Sequence, residues 1–559
     1  MTCRRGWLRG WLRGWLRGAV VSVLVCGLAG PTIAHARATP PPKSKQKAKG
    51  AKPPPPPKIP TTSTLPRRAS DPDSPHERRI AELRQRLEAV MREAPLVRAK
   101  VGAVVMQISD GDVLYSHNAE LKFNPASNTK MLTTAAALDR LGGDYRYRTA
   151  LYGAQADMDG VIAGDIILRG SSDPSLSSMD LAELAHALAD RGVTRIRGDL
   201  VVDRRPIGWD GGGADGLILN RNTIAVRVRP TEPKHAPVIS IEPAGAGITV
   251  ENRAVTVVGK RTRLKLDTYR KDDHLVIQVK GRIGDARGAV LLGQRVTDGA
   301  LLCGHTLYAI LPDFGITLEG RVRAGDQATK KSEDADTPSV ALATHRSAPL
   351  ADVSRISNKP SNNFVADAIY KTLGGEIFGL PGTLEKGSRA VSEWLVERGL
   401  DPTHFHLVNG SGLTHENRIT PGDLAHLLRV IFFEPALAPE FLPSLAIAGI
   451  DGTIRNRFQG TSAVGLVRAK TGTLSGVSAL SGYVGEKGDV IVFSILVENF
   501  RGNRTQLVRH AQVRLVDAML RYLRAEAQPG EVAHPPIEEP TMPGDEDPSD
   551  SESDGDPAP

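Results

Sequence analysis

Cysteine is almost missing from this chain: Cys3, Cys26 and Cys303 are the only three among 559 residues. Two of them fall in an N-terminal stretch that reads as a removable export signal. Cys303 is then left alone, so no intramolecular disulfide is open to the mature chain and cysteine-based catalysis is unsupported. Cys303 lies in the apolar run "GALLCGHTL" and is expected to be a buried hydrophobe rather than a reactive thiol. Clustered metal ligands are missing too. The 14 histidines are scattered, no His-Glu-x-x-His occurs, and the one tight pair, His404-x-His406, reads as alternate residues of a strand or loop. A zinc peptidase is therefore disfavoured, and no metal or cofactor is expected. The apolar run "AVVSVLVCGLAG" near the N-terminus, about a dozen residues, is too short to span a bilayer.

Charge of one sign is absent from each end. Residues 1–70 contain 14 Lys/Arg and no acid, whereas residues 525–559 contain 11 acids and no Lys or Arg. The formal +8 is thus spread over two opposite tails and an ordinary body, which is no nucleic-acid footprint, and no nucleic-acid partner is expected. Within 1–36, the basic "RRGWLRGWLRGWLRG" precedes the apolar run, and Ala34-His35-Ala36 offers an A-x-A cleavage site. The chain is expected to be exported, to a periplasmic or cell-wall location. Lipidation at Cys26 is disfavoured, because Val25 stands where a small residue is needed. Residues 37–75, rich in Pro and Lys, read as an extended tether whose charge could rest on a membrane or wall polymer; residues 525–559 read as an acidic disordered tail.

Between the tails, Ile80, Leu83, Leu87, Val90 and Met91 recur at helical spacing. "VGAVVMQISDGDVLYSHN" reads as two strands about a Ser109–Asp112 turn. "NPASNTKMLTTAAALDRLGG" then starts a helix after Pro125 and stops it at Gly142-Gly143, with Ser127 in the first turn. Residues 146–345 are mostly short β-type runs and turns. Helical stretches follow near 361–374 and 388–399. The chain closes with strands around "VGLVRAKTGTL" and "SALSGYVGEKGDVIVFSILVENF", which turn at Glu486–Asp489, and a helix marked by Leu507, Ala511, Leu515, Ala518 and Tyr522. Helix–strand–strand at the start and strand–strand–strand–helix at the finish form one sheet only if 146–345 is an insertion. The body is then 76–145 joined to 346–524.

Three short patterns occur in order: Ser127-x-x-Lys130, Ser361-Asn362-Asn363 and Lys470-Thr471-Gly472. Each alone is weak. Ser44-x-x-Lys47 also matches the first but sits in the tether, and Ser116-x-Asn118 also matches the second but lies in a hairpin strand. A serine and a lysine three residues apart on a helix are neighbours, which is what a serine needs to become a nucleophile. Gly472 on a strand-like run permits close backbone approach. In order, the three motifs are those of serine penicillin-recognising enzymes.

With "RAKTGTLSGVSALSGYV", "NGSGLTHENRIT", "AGIDGTIRNRF" and "RGSSDPSL", the chain over roughly 78–523 resembles the D-alanyl-D-alanine carboxypeptidase/endopeptidase family, the class C low-molecular-mass penicillin-binding proteins. Ser361 lies 231 positions after Lys130, which fits that family's large insertion. The sequence departs from the family at Asn409, where Asp is usual, and at His415, where Arg is frequent. The resemblance implies an α+β penicillin-binding/β-lactamase-like transpeptidase fold, an antiparallel sheet flanked by helices, with a β-rich insertion. It implies hydrolysis of D-Ala-D-Ala termini or D-Ala-mesoDAP cross-links of peptidoglycan stem peptides, with β-lactams as inhibitors. It also implies Ser127 as nucleophile, Lys130 as base, Ser361 as proton relay and Asn363 as orienting residue. Lys470 and Thr471 are expected to bind the terminal carboxylate, with Gly472 beside them. The N–H groups of Ser127 and Thr473 are expected to form the oxyanion hole, and Asp173 to lie near the substrate. A β-lactamase is disfavoured because no Glu-x-x-x-Asn follows the second motif, and a non-catalytic wall-binding protein because no motif residue is lost. A polymerising transpeptidase lacks support, since no glycosyltransferase module is seen.

Overall fold

The computed structural model describes residues 74–203, 216–243, 247–271, 274–325, 340–486 and 488–527. The export signal, Cys3, Cys26, Ser44-x-x-Lys47 and nearly all of the basic tether and acidic tail lie outside the described residues. Ser74 accepts a hydrogen bond from the Glu77 N–H and caps helix α1 (Pro75–Met91), so a helix begins within the stretch read as tether.

Strands β1 (Lys100–Gln107) and β2 (Val113–His117) follow, then α2 (Thr129–Leu141). After the insertion come α3 (Leu350–Asn358), α4 (Asn363–Phe378), α5 (Leu384–Glu397) and α6 (Pro421–Phe433). The chain then forms β3 (Ala446–Ile447), β4 (Val467–Leu474), β5 (Val477–Glu486), β6 (Asp489–Glu498) and α7 (Thr505–Ala527). The six strands make one sheet in the order β3-β4-β5-β6-β1-β2, antiparallel at every pairing. The late strand β6 lies against the early β1, Lys100 opposite Glu498 and Gln107 opposite Ile491. The fold is α+β.

Alternation along the strands decides which helices cover which face. Val101, Ala103 and Val105 of β1, with Phe493, Ile495 and Val497 of β6, pack with Leu83 and Leu87 of α1 and Leu515 and Met519 of α7. Val104, Met106, Val492 and Leu496 point the other way and join Leu132 and Ala135 of α2, Ile369 of α4, Trp394 of α5 and Leu428 of α6. On α7 the expected apolar markers Ala511, Leu515, Ala518 and Tyr522 are buried. Leu507 is exposed, and its neighbour Val508 takes the place in the core at the start of the helix.

Residues 146–345 hold a five-stranded sheet, three three-stranded ones, and helices Ser178–Ala189 and Gly299–Ile310, gathered around one hydrophobic cluster. Cys303 is buried in that cluster, and burial pushes its thiol far up, away from reactivity. Entry and exit are zipped together: strand Arg148–Gly153 pairs antiparallel with Val340–Arg346. The pairing continues through Ser347 N to Tyr147 O (3.0 Å), Leu350 N to Tyr145 O (2.8 Å) and Ala351 N to Gly143 O (3.0 Å). The chain thus leaves from the end of α2 and returns to the start of α3. With its ends so held, an insertion costs the body little, since closure entropy grows only slowly with length.

Candidate active site

Ser127 is half-buried in a 3-10 turn, Ala126–Asn128, immediately ahead of α2. It is not within the α-helix, as its spacing predicts, because Ala126 has a left-handed backbone (φ 44°) that an α-helix does not tolerate. The turn is held from three sides. Asn124 Oδ1 accepts the Ala126 N–H at 2.7 Å, and its amide donates to Thr414 O at 3.1 Å. Asn128 Nδ2 donates to Ser481 Oγ at 2.8 Å on the sheet. Gly412 sits so close that a Cβ there would lie 1.9 Å from Ala126 O.

Lys130, one residue into α2, is fully buried, and its Nζ touches three oxygens: Ser127 Oγ at 2.9 Å, Asn363 Oδ1 at 2.7 Å and Ser411 O at 2.6 Å. Burial lowers its pKa to about 7, against a smaller opposing pull from the Asp367 carboxylate. Asn363 is the first residue of α4, whose cap is Asn362 accepting from the Val365 N–H at 3.0 Å. Ser361 just before it has φ 62°, a strained conformation for a non-glycine residue. Its Oγ accepts a hydrogen bond from Lys470 Nζ at 2.8 Å. Lys470 is fully buried on β4, and burial, aided by the Lys130 charge, holds its pKa well below the ordinary lysine value.

Beyond Ala469, β4 has no ladder partner on its outer edge among the described residues, because β3 pairs only with Arg468 and Ala469. That bare edge runs past Ser127. A Cβ on Gly472 would lie 2.7 Å from Pro125 O and 3.0 Å from Ser127 N, so only glycine lets the strand come so near. Thr471 is half-buried and donates to Thr453 Oγ1 at 2.8 Å, and Thr473 is exposed. The tertiary structure therefore brings Ser127, Lys130, Ser361, Asn363, Lys470, Thr471, Gly472 and Thr473 to one place.

Asp173 belongs to the insertion, where its charge acts on Tyr145 and Tyr147 of the segment that leads from the body into it. Its Oδ1 accepts from Ser175 N at 2.8 Å and Ser175 Oγ at 2.6 Å, and burial raises its pKa. Among the described residues one group could hold a metal ion: Asp180, Glu183 and His345. It too is in the insertion, and it carries none of the three motifs. His345 Nδ1 lies 3.0 Å from Glu183 Oε2, and Nε2 lies 3.6 Å from Asp180 Oδ1.

Two contributors escape a reading by motif. Asp367, one turn after Asn363 on α4, accepts from the N–H groups of Gly410 (3.0 Å) and Ser411 (2.8 Å). It thereby aims the Ser411 carbonyl at Lys130. The only signal was the i, i+4 spacing from Asn363, and the Gly-Ser-Gly loop gave no hint that a main-chain oxygen mattered. Asn409 replaces the family's usual Asp without loss of the turn: its Oδ1 accepts from Gly412 N at 2.7 Å, and its amide donates to Thr414 Oγ1 at 3.1 Å. His415 lines a cleft with Asn124, Arg418 and Asn499.

The model of the D-Ala-D-Ala carboxypeptidase 3 (S13) family matches residues 83–519. The chain belongs to the S13 family. A D-alanyl-D-alanine carboxypeptidase of Actinomadura sp. is 34% identical over 468 residues, 78% of this chain and 85% of that one. The D-alanyl-D-alanine carboxypeptidase DacB of Haemophilus influenzae is 26% identical over 423 residues, covering 72% and 86%. The crystal structure of penicillin binding protein 4 from H. influenzae superposes with a TM-score of 0.62 at 24% identity, covering 78% of this chain and 99% of that one. That match supports the S13 fold, insertion included.

Proposed function

We propose that this S13 protein is a serine DD-peptidase, hydrolysing D-Ala-D-Ala termini or D-Ala cross-links of peptidoglycan through an ester on Ser127 and acylated by β-lactams in the same way. The carrying observation is the contact set of Lys130. Asn363 Oδ1 and the Ser411 carbonyl can only accept, so they take the two N–H bonds of a neutral amine. The lone pair is left facing Ser127 Oγ, 2.9 Å away. Burial makes that neutral form accessible near pH 7.

Ser127 Oγ attacks the carbonyl carbon between the two D-alanines while Lys130 takes its proton. The oxyanion meets the N–H groups of Ser127 and Thr473, the latter on the bare edge of β4; one such donor is worth about 3 kcal/mol. Ser361, held by Lys470, passes a proton to the leaving amine, and water then hydrolyses the ester. Lys470 is fully buried with its Nζ on Ser361 Oγ, so it would act on the terminal carboxylate through Ser361, with the half-buried Thr471 and the exposed Thr473 beside it on the strand. Export to the periplasm or cell wall, supported by the reading of residues 1–36, would put the enzyme beside this substrate.

Benzylpenicillin is expected to form one covalent adduct, mapped by peptide mass to the segment carrying Ser127, and a peptide ending in D-Ala-D-Ala to release D-alanine. An adduct on another serine overturns the assignment. A well-folded protein that gives neither adduct nor D-alanine overturns the enzyme reading in favour of a wall-binding one. A third result follows from the strand's closeness. Gly472→Ala presses against main-chain atoms that cannot step aside and is expected to slow acylation by roughly 100-fold, with the protein still folded. Labelling rates with a fluorescent penicillin check this, and an unchanged rate would mean the strand does not position Ser127.

A further inference from the structure

Two carboxylates and one imidazole converge in the insertion, far in the chain from any of the three motifs. Asp180 and Glu183 are three positions apart on helix Ser178–Ala189, which places them on one side of it. The helix packs against strand Val340–Arg346, where the buried His345 meets both acids. One donor atom from each residue lies within 4.8 Å of the other two. Asp180 is oriented beforehand. Its Oδ2 accepts the Ser177 N–H at 2.7 Å and Ser177 Oγ at 2.8 Å, a capping box that leaves Oδ1 toward the imidazole. The 3.6 Å from that oxygen to His345 Nε2 is too long for a hydrogen bond. It is the spacing of two donors on one tetrahedral ion, about 3.3–3.6 Å for bonds of about 2.0–2.2 Å. Glu183 is the exposed member, so its carboxylate can pivot from Nδ1 onto an ion held there.

The local charge also calls for a cation. Asp173 adds a third carboxylate, 1% exposed, whose Oδ2 has no hydrogen-bond partner among the described residues. The charges of both Asp180 and His345 act on it. No Lys or Arg among the described residues forms an ion pair with any of the three acids. An imidazolium supplies one positive charge against as many as three negative ones, where burial makes the imbalance costly. A divalent ion offsets it and leaves the imidazole neutral. One imidazole with two carboxylates suits Zn²⁺, whereas Ca²⁺ and Mg²⁺ take oxygen donors. We propose that Asp180, Glu183 and His345 form a structural Zn²⁺ site that staples helix Ser178–Ala189 to strand Val340–Arg346. No motif announces it, because His345 stands at the opposite end of the insertion from the two acids. His345 pairs with Thr149 in the strands that close the insertion, so the ion ties it where the chain returns to the body. The site takes no part in the serine chemistry and does not depend on the DD-peptidase reading.

The test uses the full-length chain, stripped with EDTA and titrated with Zn²⁺ by calorimetry and with Co²⁺ by visible absorption. Wild type is expected to take up one tight equivalent. Its unfolding midpoint should rise by about 2–5 °C with Zn²⁺ well above its Kd. His345→Gln and Glu183→Gln should each weaken binding at least about 10-fold and flatten the Co²⁺ bands. Glu183 is exposed, so its variant stays folded even if the buried His345→Gln does not, and circular dichroism checks both. Glu183→His separates a metal site from a plain ion pair. It removes the negative charge but restores a donor, so tight Zn²⁺ binding should return. A wild type with no saturable equivalent, and a midpoint indifferent to EDTA and Zn²⁺, would make the cluster an ion pair alone and overturn the proposal. An equivalent whose affinity is the same in wild type, His345→Gln and Glu183→Gln would be adventitious binding at other histidines, and would overturn it too.

Discussion

Replacing Ser127 with alanine is expected to abolish covalent labelling by penicillin and to cut D-alanine release by at least about 10⁴-fold, while leaving the fold intact. Loss of a nucleophilic serine costs that much where the rest of the site survives, since what remains is binding and an oxyanion hole. The survival of the rest is itself a structural expectation. The turn is held by Asn124, Asn128 and the close approach of Gly412 and Gly472, none of which uses the Ser127 hydroxyl. Ser127→Ala should therefore unfold within a few degrees of wild type by circular dichroism and still bind penicillin reversibly. Labelling that persists in the variant would place the nucleophile elsewhere, with Ser361 the first alternative to map.

Lys130 yields the second large effect and the one most specific to the mechanism. Its pKa is lowered to about 7 by burial, so below that pH the amine is an ammonium with no lone pair to offer Ser127. Acylation by penicillin is expected to rise about tenfold per pH unit below about 7 and to level off above it. Lys130→Arg keeps a cation but cannot lose its proton, and Lys130→Met keeps neither proton nor lone pair. Both are expected to acylate at least about 10³-fold more slowly across roughly pH 5–9, without the wild-type rise. Stopped-flow labelling over that range checks it. A flat wild-type profile, or an arginine variant that recovers at high pH, would mean that another group takes the serine's proton. The unfolded chain holds its lysine proton up to a pKa near about 10.4, so between pH about 7 and about 10.4 it binds more protons than the folded chain. This residue's contribution to stability therefore rises with pH over that window.

Much of this was legible in the residues alone. Period-two apolar runs, the Glu486–Asp489 turn, and the helix punctuation at Pro125 and Gly142-Gly143 record short-range physics. Strand pleat and helix start are local, and each element appears close to where it was expected. The three motifs are also local, so order and spacing along the chain suffice to name their residues. Their meeting in space is another matter. Ser127 and Ser361 are separated by the whole insertion, and what joins them is the pairing of Arg148–Gly153 with Val340–Arg346, a register that no single stretch encodes. The left-handed Ala126, which takes Ser127 off the α-helix, is imposed by contacts from Asn124 and Gly412, both outside the turn itself. The lowered pKa of Lys130 comes from burial by several elements at once. Its third oxygen is a main-chain carbonyl aimed by Asp367, and Arg509 reaches Thr473 from the far end of the chain. By itself, then, the sequence determined the elements, the order of the motifs and the kind of side chain at each. Only the tertiary structure decided the distances, the burial that tunes the lysines, and which unremarked residues stand behind the motifs. Side-chain chemistry is a property of a residue, whereas field and desolvation belong to its surroundings.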